Sequence, residues 1–342
     1  LSNGTGGFPV TQTNDFSRPL LRIAEDSRSY YEASYTPTAT AATGFRRLEV
    51  RVARKDVRVQ SRSGYYASSP VLAAAFAQGE LPAEFELRTA FYRFDRQGGG
   101  PFDCVVKVEA SLDRTEFRPA AEKGKLAGRM VLAGRVLDGK SDVVDTFGQE
   151  VGLGGTPEQV EAVRGQVLPL ARRLRLPPGA YTVELLVRDA VGNHASGQRL
   201  AVTVPTPEGA LSMSTLVLVS GVEAADPKSD PTDPLRIGDR RIVPNVARRV
   251  TAAPGAQLPV FYLVYAKPGS TSAVTAIVEV SRDGQVVARG QAPLPAPDAE
   301  GRITGLSPIP LQKMQPGTYL VKVTVSADGD KAEETTTVTV DS

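Results

Sequence analysis

Tryptophan is absent, and cysteine and histidine occur once each, in a chain of 342 residues. A single thiol excludes a disulfide framework, and one imidazole beside it leaves no donor set for a zinc knuckle or a two-histidine site. Charge of one sign is missing too. Forty Lys and Arg stand against 38 Asp and Glu, a net charge of +2, without the basic excess that a general nucleic-acid binder needs. No apolar run reaches the ~18 residues of a membrane-spanning helix, so no transmembrane segment is expected. The chain opens Leu1-Ser2-Asn3-Gly4 without an initiator Met, the expectation for a removed signal sequence or a cut precursor.

What is present suffices for a packed core, since 41% of the residues are hydrophobic, and the length suits two or three domains. Gly6-Gly7-Phe8-Pro9-Val10 reads as a short strand after a glycine turn. Asn14 or Asp15 can cap a helix carrying Phe16, Leu20, Ile23 and Ala24, with Pro19 tolerated in its first turn. Tyr30–Tyr35 reads as a strand and Pro37–Gly44 as a turn. Leu48, Val50 and Val52 then share one face of a strand, Val57 and Val59 begin another, and the segment closes at Gly64-Tyr65-Tyr66.

The stretch from Thr5 to Ala67, with its glycine pair, "DFSRPLLRIAEDSRSYY", "YEASYTPT" and "SGYYA", resembles the C-terminal end of a von Willebrand factor A-like domain. The variety it resembles occurs in large secreted or surface-exposed bacterial proteins. The resemblance implies a partial α/β segment over residues 1–67 with a late sheet strand, a last helix and a terminal strand. That family's metal site needs Asp-x-Ser-x-Ser, which occurs nowhere here, so no metal-site residue carries over. A sheet missing its first half leaves unpaired backbone, and a strand from a neighbouring copy would satisfy it. Leu1, Gly6, Gly7, Phe8 and Val10, within Leu1–Gln12, are the candidate donor residues.

Ser69 and Pro70 open an Ala-rich stretch closed by Gly79, which predicts a helical connector over 68–80. From Glu84 the pattern alternates with period two, over Glu84–Phe94, Cys104–Leu112, Leu126–Leu137, Val143–Val151, Thr182–Arg188 and Gln198–Val204. Thr156–Arg173 reads either as a helix interrupted near Pro169 or as strands. A second series follows: Ala210–Ser220, Gln257–Tyr265, Ala273–Ser281, Gln285–Ala292, Leu320–Ser326 and Glu334–Val340. Strand, Asp-Gly, strand, Pro-Gly-x-Tyr, strand, turn and final strand recur in both, an internal repeat of long period. The expected fold is therefore mainly β: the small α/β segment, then two tandem β-sandwiches over 81–206 and 207–342. In each, the Pro-Gly turn places Gly179 or Gly317 two residues before Tyr181 or Tyr319. A buried ring whose hydroxyl reaches back to backbone there resembles the tyrosine corner of immunoglobulin-like sandwiches.

Candidate chemistry is sparse. His194 and Asp189 lie in one turn, but no Gly-x-Ser-x-Gly accompanies them, and Cys104 sits in an alternating strand. A hydrolase built on either is the least favoured reading. Gly98-Gly99-Gly100-Pro101 precedes a strand, which is the wrong context for a phosphate loop. The basic residues Arg46, Arg47, Arg51, Arg54, Lys55, Arg58 and Arg62 read as the solvent face of a sheet. Asp226, Asp230, Asp233 and Asp239 are weak calcium candidates in an Asp-Pro-rich loop whose spacing fits no EF-hand; no other cofactor is expected. The sequence thus points to a non-enzymatic extracellular or surface-exposed bacterial protein whose partner is a second copy of itself or another surface protein. The alternative is a monomeric, ligand-binding adhesin fragment, with calcium.

Overall fold

The computed structural model describes residues 80–342, except 96–99, 207–208, 227–229, 231, 268–269, 271, 299–300, 313 and 342. Upstream it describes 44–47, 49–52, 54, 64–67 and 76. The expected N-terminal strand, the helix after Asp15, Lys55, Arg58, Arg62 and the donor residues Leu1, Gly6, Gly7, Phe8 and Val10 lie outside these. In the upstream part β1 (Gly44–Arg47) pairs antiparallel with β2 (Gly64–Ala67), Gly44 opposite Ala67. Of the strand expected at Leu48–Val52, Leu48 lies outside the described residues and Glu49–Val52 is not in a strand. Glu49–Val52 is unpaired, and Val50 and Val52 are exposed. The alternation of Val50 and Val52 was misleading because the described pairing falls on Gly44–Arg47.

The first sandwich contains β3 (Leu87–Phe94), β4 (Phe102–Ser111), β5 (Arg118–Pro119), β6 (Leu126–Asp138), β7 (Val143–Gly155), α1 (Pro157–Val163), β8 (Val167–Leu176), β9 (Gly179–Asp189) and β10 (Ala195–Val204). One sheet runs β3-β4-β8; the facing sheet runs β10-β9-β6-β7, with β5 beside the start of β6. The ambiguous segment holds both elements. Thr156 caps α1 in a reciprocal box, its hydroxyl accepting from Gln159 N (3.4 Å) while Gln159 Oε1 accepts from Thr156 N (3.0 Å), and Pro157 begins the helix. Pro169 lies inside β8 opposite Glu109, on the edge of the three-stranded sheet, where a missing N–H costs no ladder bond.

The second sandwich repeats the order. It contains β11 (Leu211–Met213), β12 (Val217–Ala224), β13 (Arg236–Ile237), β14 (Arg240–Pro244), β15 (Arg249–Thr251), β16 (Gln257–Ala266), β17 (Thr275–Arg282), β18 (Gln285–Pro293), β19 (Arg302–Pro310), β20 (Gly317–Ala327) and β21 (Asp330–Asp341). β11 and β12 pair in succession along one side of β16 and β19 along the other. The facing sheet runs β15-β21-β20-β17-β18, with β15 parallel to β21. Asp283 and Gly284, both at positive φ (50° and 79°), make the two-residue turn between β17 and β18.

Each sandwich has its own core, and each uses an aromatic ring to cover a glycine directly across the ladder. Phe147 lies over Gly134, and Tyr262 over Gly305; a Cβ on either glycine would come within 2.2 Å of the ring. A third apolar cluster lies between the sandwiches. Ala90, Tyr92, Phe94 and Val105 come from the outer face of β3-β4. Val217, Val219, Leu235, Ile242, Val246, Phe261, Leu263 and Tyr265 come from the second sandwich. The modules are therefore not beads on a stiff linker. The three-stranded sheet of the first sandwich packs face to face on the six-stranded sheet of the second (β11-β16-β12-β14-β13, with β19 beside β16), giving four stacked layers. This explains why β4 and β16 are buried on both faces, with β16 buried from Val260 through Ala266.

Candidate functional site

The inter-sandwich joint gathers the charged side chains that the cores exclude. Arg93, on β3, forms an ion pair with Glu334 of β21 and donates to Met213 O (3.2 Å), while its backbone N–H donates to Thr215 Oγ1 (2.9 Å). Burial raises the Glu334 carboxyl above its ordinary range, and the Arg93 charge offsets this only in part. Ser212 donates to Asp95 (2.8 Å). On the other flank Arg173 of β8 holds Asp103 (2.7 Å) in its own sandwich and Asp230 (2.7 Å) and Thr232 (2.9 Å) across the joint. Beside the Arg93–Glu334 pair opens a cleft of about 420 Å³. Its walls are Thr89 and Phe91 of β3, Leu200–Thr203 of β10, and Val246 and Arg248 of the second sandwich.

The acidic loop serves this joint. Asp230 faces Arg173 and accepts from Thr232 N (2.8 Å). Asp233 accepts from Leu235 N (3.0 Å) and pairs with Arg241 (3.1 Å), which also reaches Glu223 (3.2 Å). The hydrogen bonds from Thr232 and the Arg173 charge hold the Asp230 carboxyl below its usual range. The loop runs into β13 and β14. Among the described residues no group of three or more potential ligands converges, so Asp226, Asp230, Asp233 and Asp239 are not brought together as a cation site.

The catalytic pairings weighed from sequence do not form. Asp189 is buried and accepts from three backbone amides, Glu116 N (2.8 Å), Val191 N (2.9 Å) and Gly192 N (3.0 Å), so it shapes the β9–β10 turn. His194 in that turn faces Glu84 (3.8 Å) and Glu116 (4.0 Å) instead. Cys104 is fully buried in the first core, and burial pushes its thiol up to about 12, far from a reactive thiolate at neutral pH.

Tyr319 is buried and its hydroxyl donates to Gln315 O (2.8 Å); Tyr181 donates to Pro177 O (2.9 Å), but its ring is only half-buried, against the expectation of a buried one. Gly179 sits against the Tyr181 hydroxyl, where a Cβ would approach it to 3.2 Å. Gly317 adopts φ 147° with the Arg282 guanidinium beside it. Arg282 in turn lies 5.6 Å over the Tyr319 ring. Of the two described residues of the connector, Glu80 is in a bend and Phe76 is helical; the Phe76 carbonyl accepts from Arg135 (3.0 Å) and its ring packs on the outer face of the β9-β6 sheet. Arg135 and Arg199 both bind Glu184; burial opposes that carboxylate's charge, and the two arginines still hold it below its ordinary range.

Sequence reasoning missed Arg93, Glu334 and Arg173. The signal for them was present in β3 and β8, where arginines interrupt otherwise apolar strands. No protein-family model and no curated protein matches the chain. Among solved structures, the chain is similar to one described as "putative beta-galactosidase from bacteroides fragilis", at 13% identity and a TM-score of 0.24. The match covers 81% of this chain and 39% of that one.

Proposed function

We propose that this chain is a non-enzymatic structural or adhesive protein, exported to a bacterial surface, that assembles into a fibre by strand addition between copies. In this reading a partial von Willebrand factor A-like segment precedes two immunoglobulin-like sandwiches. The order shared by both sandwiches, β3-β4-β8 facing β10-β9-β6-β7 and β12-β16-β19 facing β21-β20-β17-β18, and the tyrosine hydroxyls returned to backbone support the immunoglobulin-like assignment. The observation that carries the function is the four-layer stack. A joint of twelve buried apolar side chains fixes two modules as one stiff unit, which suits a part that must hold spacing rather than close around a substrate. Arg93 and Arg173 add polar ties across it, to Glu334 and to Asp230 and Thr232. The test is deletion of Leu1–Gln12 followed by negative-stain microscopy and light scattering. Fibres from the full chain and separate folded particles from the deletion support the reading; fibres that persist, or none from either, overturn it.

A further inference from the structure

The two sandwiches end in equivalent strands whose outer edges differ. Gly179 pairs with Val204 and Gly317 with Val340, which aligns Thr203 of β10 with Thr339 of β21. On β21 the outward edge is covered in cis: Thr339 N donates to Arg248 O (2.8 Å), and β15 runs parallel along Thr339–Asp341. On β10 only the first part is covered. Glu84 N donates to Ala195 O (3.2 Å) and Gly197 N to Pro82 O (2.7 Å). These bonds fix the parity of the strand: odd-numbered residues turn their N–H and C=O away from β9. Ala201 and Thr203 therefore present theirs outward. Both are exposed, both line the cleft, and neither has a backbone partner on that side among the described residues.

We propose that this edge is the strand acceptor, and that its guest is the Leu1–Gln12 segment of a second copy. The inference rests on the self-assembly reading above and names its site. Among the described residues the first sandwich has no strand between β3 and β4, where the second inserts β13, β14 and β15, and none that pairs with the far part of β10. The described sandwich begins at Glu80, beside the covered end of β10, with 79 residues of chain before it. Within that length Phe8-Pro9-Val10 fits an added edge strand. Pro9 has no N–H, so it must face away from β10, which turns the N–H groups of Phe8 and Val10 toward Ala201 and Thr203. With the guest parallel to β10, as β15 is to β21, Phe8 lies opposite Val202, so the Phe8 and Val10 side chains share the face of Leu200 and Val202 and meet the apolar wall that Phe91 completes.

The experiment uses the chain lacking Leu1–Gln12 and a fluorescent peptide of sequence LSNGTGGFPVTQ, read by anisotropy, beside light scattering of the full chain. The peptide binds saturably, and N-methylation at its Val10 amide weakens binding at least tenfold. Ala201→Pro does the same from the acceptor side, because it removes an outward N–H that the β9–β10 ladder does not use; in the full chain it blocks assembly. The N-methylated peptide keeps the test independent of whether Ala201→Pro folds. If the full chain and its Ala201→Pro variant assemble alike, the acceptor lies elsewhere, and this inference fails while self-assembly stands. If the truncated chain binds the peptide but the full chain stays monomeric, the guest is in cis and the second-copy assignment is overturned. If no peptide binds and no assembly forms, both readings fail.

Discussion

Replacing Phe261 by alanine isolates what the joint contributes. The side chain is fully buried on the outer face of β16, within the cluster between the sandwiches, while the inward residues Val260 and Tyr262 belong to the second core. Truncating a buried phenylalanine costs about 3–5 kcal/mol, from lost transfer energy and the cavity left behind. Whole domains are stable by only about 5–15 kcal/mol, so this loss is a large share of the margin. It falls on the contact that couples the two modules, because both intramodule cores remain complete. Calorimetry of the parent should show the two sandwiches unfolding together. In Phe261→Ala the transition should split, with the second sandwich melting first and its midpoint lower by on the order of 10 °C, at about 2–4 °C per kcal/mol. Val321→Ala, in the second core, should lower stability as well but leave the transitions joined. A Phe261→Ala protein that still unfolds in one step, within about 2 °C of the parent, would refute the idea that this layer joins the modules.

Other outcomes follow from single contacts. Tyr319→Phe should cost about 1 kcal/mol in urea unfolding, since it removes the bond from a buried tyrosine to the Gln315 carbonyl; Tyr181→Phe should cost less, its hydroxyl being open to water. Gly134→Ala and Gly305→Ala should each destabilise by about 1–3 kcal/mol, because the covering ring must move from a Cβ placed 2.2 Å away. Burial raises the folded-state values of the Cys104 thiol and the Tyr92 phenol, each to about 12. Their contribution is therefore intact below their unfolded values, near 9 and 10, and is lost as pH rises toward 12. Urea midpoints should hold between pH 7 and 8.5 and fall steadily above pH 9.5. Cys104 should resist a thiol reagent at pH 8 until the chain unfolds; rapid labelling of native protein would contradict its burial.

Alternation carried much of the fold. β3, β4, β6, β9, β16 and β20 were legible because period-two burial against one core leaves a direct mark on the sequence. β19 was not, because Gly305, Pro308 and Pro310 read as loop; it survives as an edge strand, where prolines leave no ladder bond unmade and the Tyr262 ring covers the glycine. β8 was obscured by Pro169 and its arginines, of which Arg173 reaches across the joint while Arg172 and Arg175 contact Phe147 and Asp103 of their own sandwich. The joint itself left a signal that is plain once its cause is known. Leu258–Ala266 is too continuously apolar for a strand with one wet face, so β16 had to be buried on both sides. The β10 edge could not be read at all. It depends on what does not pair with Ala201 and Thr203, and pairing between distant segments leaves no local pattern.

The fixed relation of the two sandwiches is the claim on which the scaffold reading stands. It is tested most directly by electron–electron double resonance between spin labels on Lys140→Cys, at the exposed β6–β7 turn, and Gln285→Cys, on the exposed edge strand β18. The buried Cys104 should leave these as the only labelled positions. One narrow distance distribution, unchanged between low and high salt, is the predicted result. A broad or multimodal distribution would mean that the sandwiches swing independently, and would contradict the account.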